Sequence, residues 1–84
     1  MTSSDALIAV IEDEAPIRRF LRASLSVEGF RVAEAATAKD GLRLITQERP
    51  ALVLLDLGLP DADGLTIIEE VRQWSAMPII ILSA

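Results

Sequence analysis

Four short apolar runs, separated by three amphipathic stretches, constrain the fold of this chain more than any other feature. They are "ALIAVI" (6–11), "FRVAEA" (30–35), "ALVLLDL" (51–57) and "PIIIL" (78–82). Runs of this length, rich in Val, Ile and Leu, fit strands. The first, which is continuously apolar, fits a strand buried on both faces. The second alternates and reads as a strand nearer the sheet edge. After the first run, Pro16 suits the opening turn of a helix, where its missing N–H costs little. Ile17, Phe20, Leu21, Ser24 and Leu25 then recur at helical spacing, with Arg18, Arg19 and Arg22 on the other, solvated face. Gly29 is a natural stop. Thr37 with Asp40 resembles a capping box in which Asp replaces the usual Glu. Ala38, Leu42 and Ile45 line one face of a second helix ending near Pro50. Leu65, Ile68 and Val71 mark a third helix, with Glu69, Glu70, Arg72 and Gln73 facing out and Trp74 packing at its end. The order β-α-β-α-β-α-β predicts an α/β fold with a parallel sheet covered on both faces. Right-handed crossovers leave few topologies. One of them is a doubly wound sheet of order 2-1-3-4.

Composition removes several function classes. The chain has 84 residues, enough for one domain, and 51% of them are hydrophobic, so it is not disordered by composition. A chain this short buries only roughly 60–65% of its unfolded surface, which predicts a thin stability margin. The formal charge is −5 and no basic run exists, which argues against direct binding to nucleic acid or an anionic membrane. Without cysteine there are no disulfides and no thiolate metal sites. The opening "MTSSDALIAV" lacks the features of a signal peptide, and no apolar run approaches the roughly 20 residues of a membrane helix. A soluble cytoplasmic protein is the expectation.

The acids sit where the topology makes them converge. Glu12 and Asp13 follow the first strand, and Asp56 ends the apolar part of the third. In a parallel sheet the carboxyl ends of all strands share one side. If the first and third strands are neighbours, Asp13 and Asp56 meet at the switch point, where open α/β sheets place ligands. Ser83 ends the fourth strand on that side. Clustered carboxylates repel unless a cation neutralises them. With no histidine or cysteine available, an all-oxygen site for a hard cation is expected, and Mg²⁺ fits. A metal-bound carboxylate beside a small hydroxyl can take a phosphoryl group as an aspartyl phosphate. Glycines after Asp56 let the backbone pass close to the incoming group.

Simpler readings stand beside these. Asp56 can cap the turn that follows, Glu12 and Asp13 can favour the helix start through its dipole, and Ser83 can be only a serine near the chain end. Glu14 reads as helix-start charge. In a calcium-loop alignment of "DADG", Asp61, Asp63, Gly64 and Glu70 fall at ligand or turn positions, but Leu59 occupies the first position and cannot ligate. A haloacid-dehalogenase-type site needs a second aspartate where Gly58 stands. No G-x-G-x-x-G supports a dinucleotide fold.

"IEDE" after the first strand, "LLDLGLPDADG" around the third and "IIILSA" at the fourth together resemble the receiver domain of two-component response regulators, over essentially the whole chain. "IRRFLR", "DLGLPD" and "RQWSAMPIIILSA" are similar to regulators of potassium-uptake operons in the OmpR-like class. The resemblance implies a flavodoxin-like (CheY-like) fold and assigns roles. Asp56 matches the phospho-acceptor, Asp13 the direct Mg²⁺ ligand, and Glu12 its acidic partner. The Gly58 backbone carbonyl matches a third protein ligand, Ser83 the switch hydroxyl, and Pro60 and Gly64 the loop that shapes the site. A sensor histidine kinase is the implied phosphodonor. The protein is expected to be no enzyme in its own right. Receivers continue with a fourth helix, a fifth strand followed by a lysine, and a fifth helix. Residues 1–84 are therefore expected to be the N-terminal part of a receiver, with DNA contacted only through a further domain. Self-association, most simply a two-fold dimer joining the strand-4 regions or the bare sheet faces, is expected of such a piece. A non-phosphorylated pseudo-receiver acting as an interaction module is the alternative.

Overall fold

The structure, a computed structural model, describes residues 6–82. Seven elements follow in the expected order: β1 (Leu7–Ile11), α1 (Ala15–Val27), β2 (Arg31–Ala35), α2 (Ala38–Glu48), β3 (Leu52–Leu55), α3 (Leu65–Arg72) and β4 (Ile79–Ile81). All strand pairs are parallel, and the sheet order is β2-β1-β3-β4. The doubly wound arrangement read from the sequence is the one adopted.

Every residue of β1 is buried, as an uninterrupted apolar run requires of a central strand. Its side chains alternate between two cores. Ala9 and Ile11 join Val53, Leu55, Ile45 of α2, and Ile67 and Val71 of α3. Ile8 and Val10 join Leu54 on the opposite face, against Leu21 and Leu25 of α1 and Phe30. Both sheet faces thus carry helices. The helix ends follow the predicted chemistry. Gly29 adopts φ 91°, a left-handed conformation that glycine enters without Cβ strain. Thr37 caps α2, its hydroxyl oxygen accepting from the Asp40 amide at 3.1 Å.

Helical faces depart from the sequence reading in three places. Phe20, placed in the core by periodicity, is 68% exposed, and Ile17 is also exposed. The arginines read as solvated are only partly so: Arg18 and Arg22 both engage Glu34 of β2. The ion pairs and the Leu21–Leu25 contact with the sheet fix α1's rotation, turning Phe20 outward. In α3 the deeply buried residues are Ile67 and Val71, whereas Leu65 is exposed. The helix is only 8 residues long, so a periodicity read from three positions tolerates a shift of one residue. Trp74 is exposed, and the Arg49 guanidinium lies over its ring, 5.4 Å from the centroid, a cation–π contact. Among the described residues, no helix is long and apolar enough to cross a membrane.

Candidate functional site

The β1–β3 register pairs Ile11 with Leu55, so the residues that follow each, Glu12 and Asp56, leave the sheet side by side. Backbone bonds extend the sheet to this level: the Asp56 amide donates to the Ile11 carbonyl at 2.9 Å, and the Glu12 amide to Ala35 at 3.0 Å. Carboxylate oxygens of Glu12, Asp13 and Asp56 lie within 4.8 Å of one another. Glu12 and Asp56 are buried, 3% and 8% exposed, while Asp13 faces solvent. A floor of buried acids with one exposed acid makes a site open on one side.

Local hydrogen bonds set these side chains. The Glu14 amide donates to Glu12 Oε2 at 3.1 Å, and the Gly58 amide donates to Asp56 Oδ1 at 3.1 Å. Burial pushes the Glu12 carboxyl up to about 7; the Glu14 amide opposes this, and the neighbouring Asp13 and Asp56 carboxyls add to it. The donors are all oxygens, and the chain has no histidine or cysteine to supply softer ones. The set therefore suits a small hard dication better than zinc or copper.

The loop after β3 wraps the site. The Gly64 amide donates to the Leu57 carbonyl at 3.0 Å. A Cβ on Gly64 would lie 2.8 Å from Leu57 Cα and 2.9 Å from the Asp56 carbonyl oxygen, so this close approach requires glycine. At Gly58 the nearest atom to a Cβ would be Asp56 Oδ1 at 3.8 Å. Close packing of the loop on its own backbone thus demands glycine at Gly64, and space does not demand it at Gly58.

The three acids expected to converge do so. Ser83 lies outside the described residues. Two features escaped the sequence reading. Asp61 bonds the first turn of α2, and Arg18 bonds the backbone of Glu12. Arg18 and Arg22 at i,i+4 opposite an acid on an alternating edge strand were the available signal for the second. Asp61 had none, since its partners are backbone amides distant in sequence.

A parallel sheet of this order with an acidic cluster at its carboxyl end fits a receiver, and the chain belongs to the response regulator receiver domain family, whose model matches residues 8–84. Among individual proteins, it is similar to the KDP operon transcriptional regulatory protein KdpE of Escherichia coli K12, with 52% identity over 77 residues covering 92% of this chain and 34% of that protein. Transcriptional regulatory protein KdpE of Mycobacterium tuberculosis is 44% identical over 78 residues, covering 93% of this chain and 34% of the relative. The BeF3-activated N-terminal receiver domain of Klebsiella pneumoniae RstA superposes with a TM-score of 0.87 at 30% identity, over 92% of this chain and 66% of that one. The chain spans about a third of the length of the curated relatives it matches.

Proposed function

We propose that this receiver accepts a phosphoryl group on Asp56 with the help of Mg²⁺. The observation that carries the reading is the cluster of Glu12, Asp13 and Asp56 oxygens within 4.8 Å, with Asp56 at a strand end and Asp13 open to solvent. Asp13 and Asp56 hold the cation directly, Glu12 supports it, and the Gly58 carbonyl completes the protein ligands. Bound Mg²⁺ supplies charge neutralisation for the incoming phosphoryl oxygens. An Asp56 carboxylate oxygen attacks phosphorus in line. The new O–P bond forms as the bond from phosphorus to the donor's histidine nitrogen breaks, and the imidazole departs. The Gly58 amide, bonded to Oδ1, holds the carboxylate orientation during the approach. Ser83 is the switch hydroxyl in this reading, bonding a phosphoryl oxygen after transfer. Asp56 is itself consumed, so the domain is an acceptor rather than an enzyme.

Similarity to two KdpE proteins supports the wider role. The full-length protein is a cytoplasmic regulator that receives its phosphoryl group from a KdpD-like sensor histidine kinase. It controls a potassium-transport operon through a DNA-binding domain outside residues 1–84. Incubating the full-length protein with Mg²⁺ and acetyl phosphate tests the core of this. Intact mass is expected to rise by one phosphoryl group, and Asp56→Asn to abolish the gain. A gain retained in Asp56→Asn moves the acceptor elsewhere. No gain in the wild type favours the contact-only pseudo-receiver.

A further inference from the structure

The β1–α1 turn is held from outside the acid cluster by a set of polar contacts that the roles above leave unused. Arg18 of α1 donates from Nη1 to the Glu12 carbonyl oxygen at 2.7 Å, and from Nε to Glu34 Oε1 at 3.3 Å. Arg22, one turn later, donates from Nε to the other oxygen, Glu34 Oε2, and from Nη2 to the Val32 carbonyl at 3.1 Å. Glu34 sits on β2 opposite Val10 of β1. Both of its oxygens are thereby engaged, and the Arg18 guanidinium is fixed on one side by the sheet.

The bond to Glu12 bears on geometry because that carbonyl belongs to the peptide unit joining Glu12 to Asp13. A peptide unit is planar, so fixing its oxygen also fixes the direction in which the chain reaches the Asp13 Cα. Asp13 lies beyond the backbone bonds that tie this end of β1 to its neighbours, Glu12 to Ala35 and Asp56 to Ile11. Its aim therefore depends on the turn, and Arg18 grips the turn at the peptide that precedes it.

We infer that Arg18, braced by Glu34, is a positioning residue of the cation site, aiming Asp13 at the cation by clamping the Glu12–Asp13 peptide. The inference rests on the Mg²⁺ reading given above. The planar fork of arginine meets a carbonyl and a carboxylate together, and a lysine ammonium on a flexible stem lacks that fixed geometry. Arg22 is the internal control, because it shares Glu34 and does not touch Glu12.

The test is calorimetric Mg²⁺ titration of the full-length protein at neutral pH. Melting temperature and the ¹³C shift of the Glu12 carbonyl are recorded for each variant. Arg18→Met and Arg18→Lys are expected to weaken Mg²⁺ binding about tenfold, the scale of lost outer-shell support, and to shift the Glu12 carbonyl resonance. Arg22→Met is expected to bind within about twofold of wild type, well inside that scale, even where its melting temperature falls. Should Arg18→Met fail to fold, Arg18→Lys decides. Wild-type affinity in Arg18→Lys, or equal losses in Arg22→Met and Arg18→Lys, overturns the inference. Asp13→Ala separates the two levels: loss of Mg²⁺ there with full retention in Arg18→Lys sinks only the positioning role. A wild-type protein that takes no Mg²⁺ sinks the site reading and the inference with it.

Discussion

Asp61, in the loop after β3, closes the N-terminus of α2 by accepting from the Ala38 amide at 2.7 Å. Its second oxygen accepts from the Lys39 amide at 3.0 Å. Thr37 takes the Asp40 amide, so three first-turn donors of α2 are satisfied by side chains, two of them from across the fold. The loop that begins at Asp56 is thereby tied to the helix beside it.

The Ala38 and Lys39 amides hold the Asp61 carboxyl below its ordinary value of 3.8. A lowered folded-state value stabilises the fold above the unfolded value. That stabilisation is lost as pH falls from near 3.8 through the lower folded value. Asp61→Asn is expected to lower the urea midpoint at neutral pH and to make the decline below about pH 4 shallower. Midpoints measured at a series of pH values check this. An unchanged neutral midpoint would remove Asp61 from the capping role.

Glu12 predicts the opposite slope. With its folded value raised from 4.5 to about 7, the folded state keeps a proton that the unfolded chain has lost across that window. Stability without metal should therefore be full below about 4.5 and fall as pH rises through about 7. Mg²⁺ must displace that proton, so its affinity should rise over the same interval. Glu12→Gln is expected to flatten the metal-free melting profile between pH 5 and about 8 and to weaken Mg²⁺ binding. Thermal scans in chelator and in Mg²⁺ read both effects. A wild-type profile whose metal-free stability climbs over this interval contradicts the assignment.

The strand order and the acid cluster were legible because both depend on patterns the chain cannot hide. A run such as "LIAVI" has to be buried on two faces, and parallel pairing then brings the residues after β1 and β3 together. Helix faces were less legible. Phe20 sits at a core-like spacing and faces solvent, because Leu21 and Leu25 take the sheet-facing side of α1 while Arg18 and Arg22 pair with Glu34. Apolar periodicity does not register such polar cross-links. Bonds from side chains to distant backbone, such as Asp61 to Ala38, leave no sequence pattern because an amide has no residue identity.

Gly64 and Gly58 make a paired prediction about the site loop. A methyl group at Gly64 collides with Leu57 Cα and the Asp56 carbonyl, both of them backbone, so the loop itself has to move. Gly64→Ala should cost about 1–3 kcal/mol, the range for overpacking, and disturb Asp56 as well. Gly58→Ala meets only ordinary contact and should stay within about 0.5 kcal/mol of wild type. Denaturant unfolding of both variants measures the contrast. Equal costs would mean that close approach at Gly64 is not what selects glycine there.

β4 forms one end of the described sheet, paired only with β3. Ile80 and Ile81 are 51% and 45% exposed, and residues 78–82 carry no charge. Pro78 precedes the strand and blocks little of its hydrogen-bonding edge. An uncharged apolar edge recruits another strand, and a two-fold axis between two copies pairs β4 with β4 antiparallel. The 84-residue chain is expected to self-associate on this edge. Ile80→Lys adds a charge to a short strand that the two-fold axis sets against its own copy. It should weaken dimerisation about tenfold, which needs only about 1.4 kcal/mol. Sedimentation velocity across a dilution series distinguishes the cases. A wild-type chain that sediments as a compact monomer throughout the micromolar range would show that the edge does not recruit a partner.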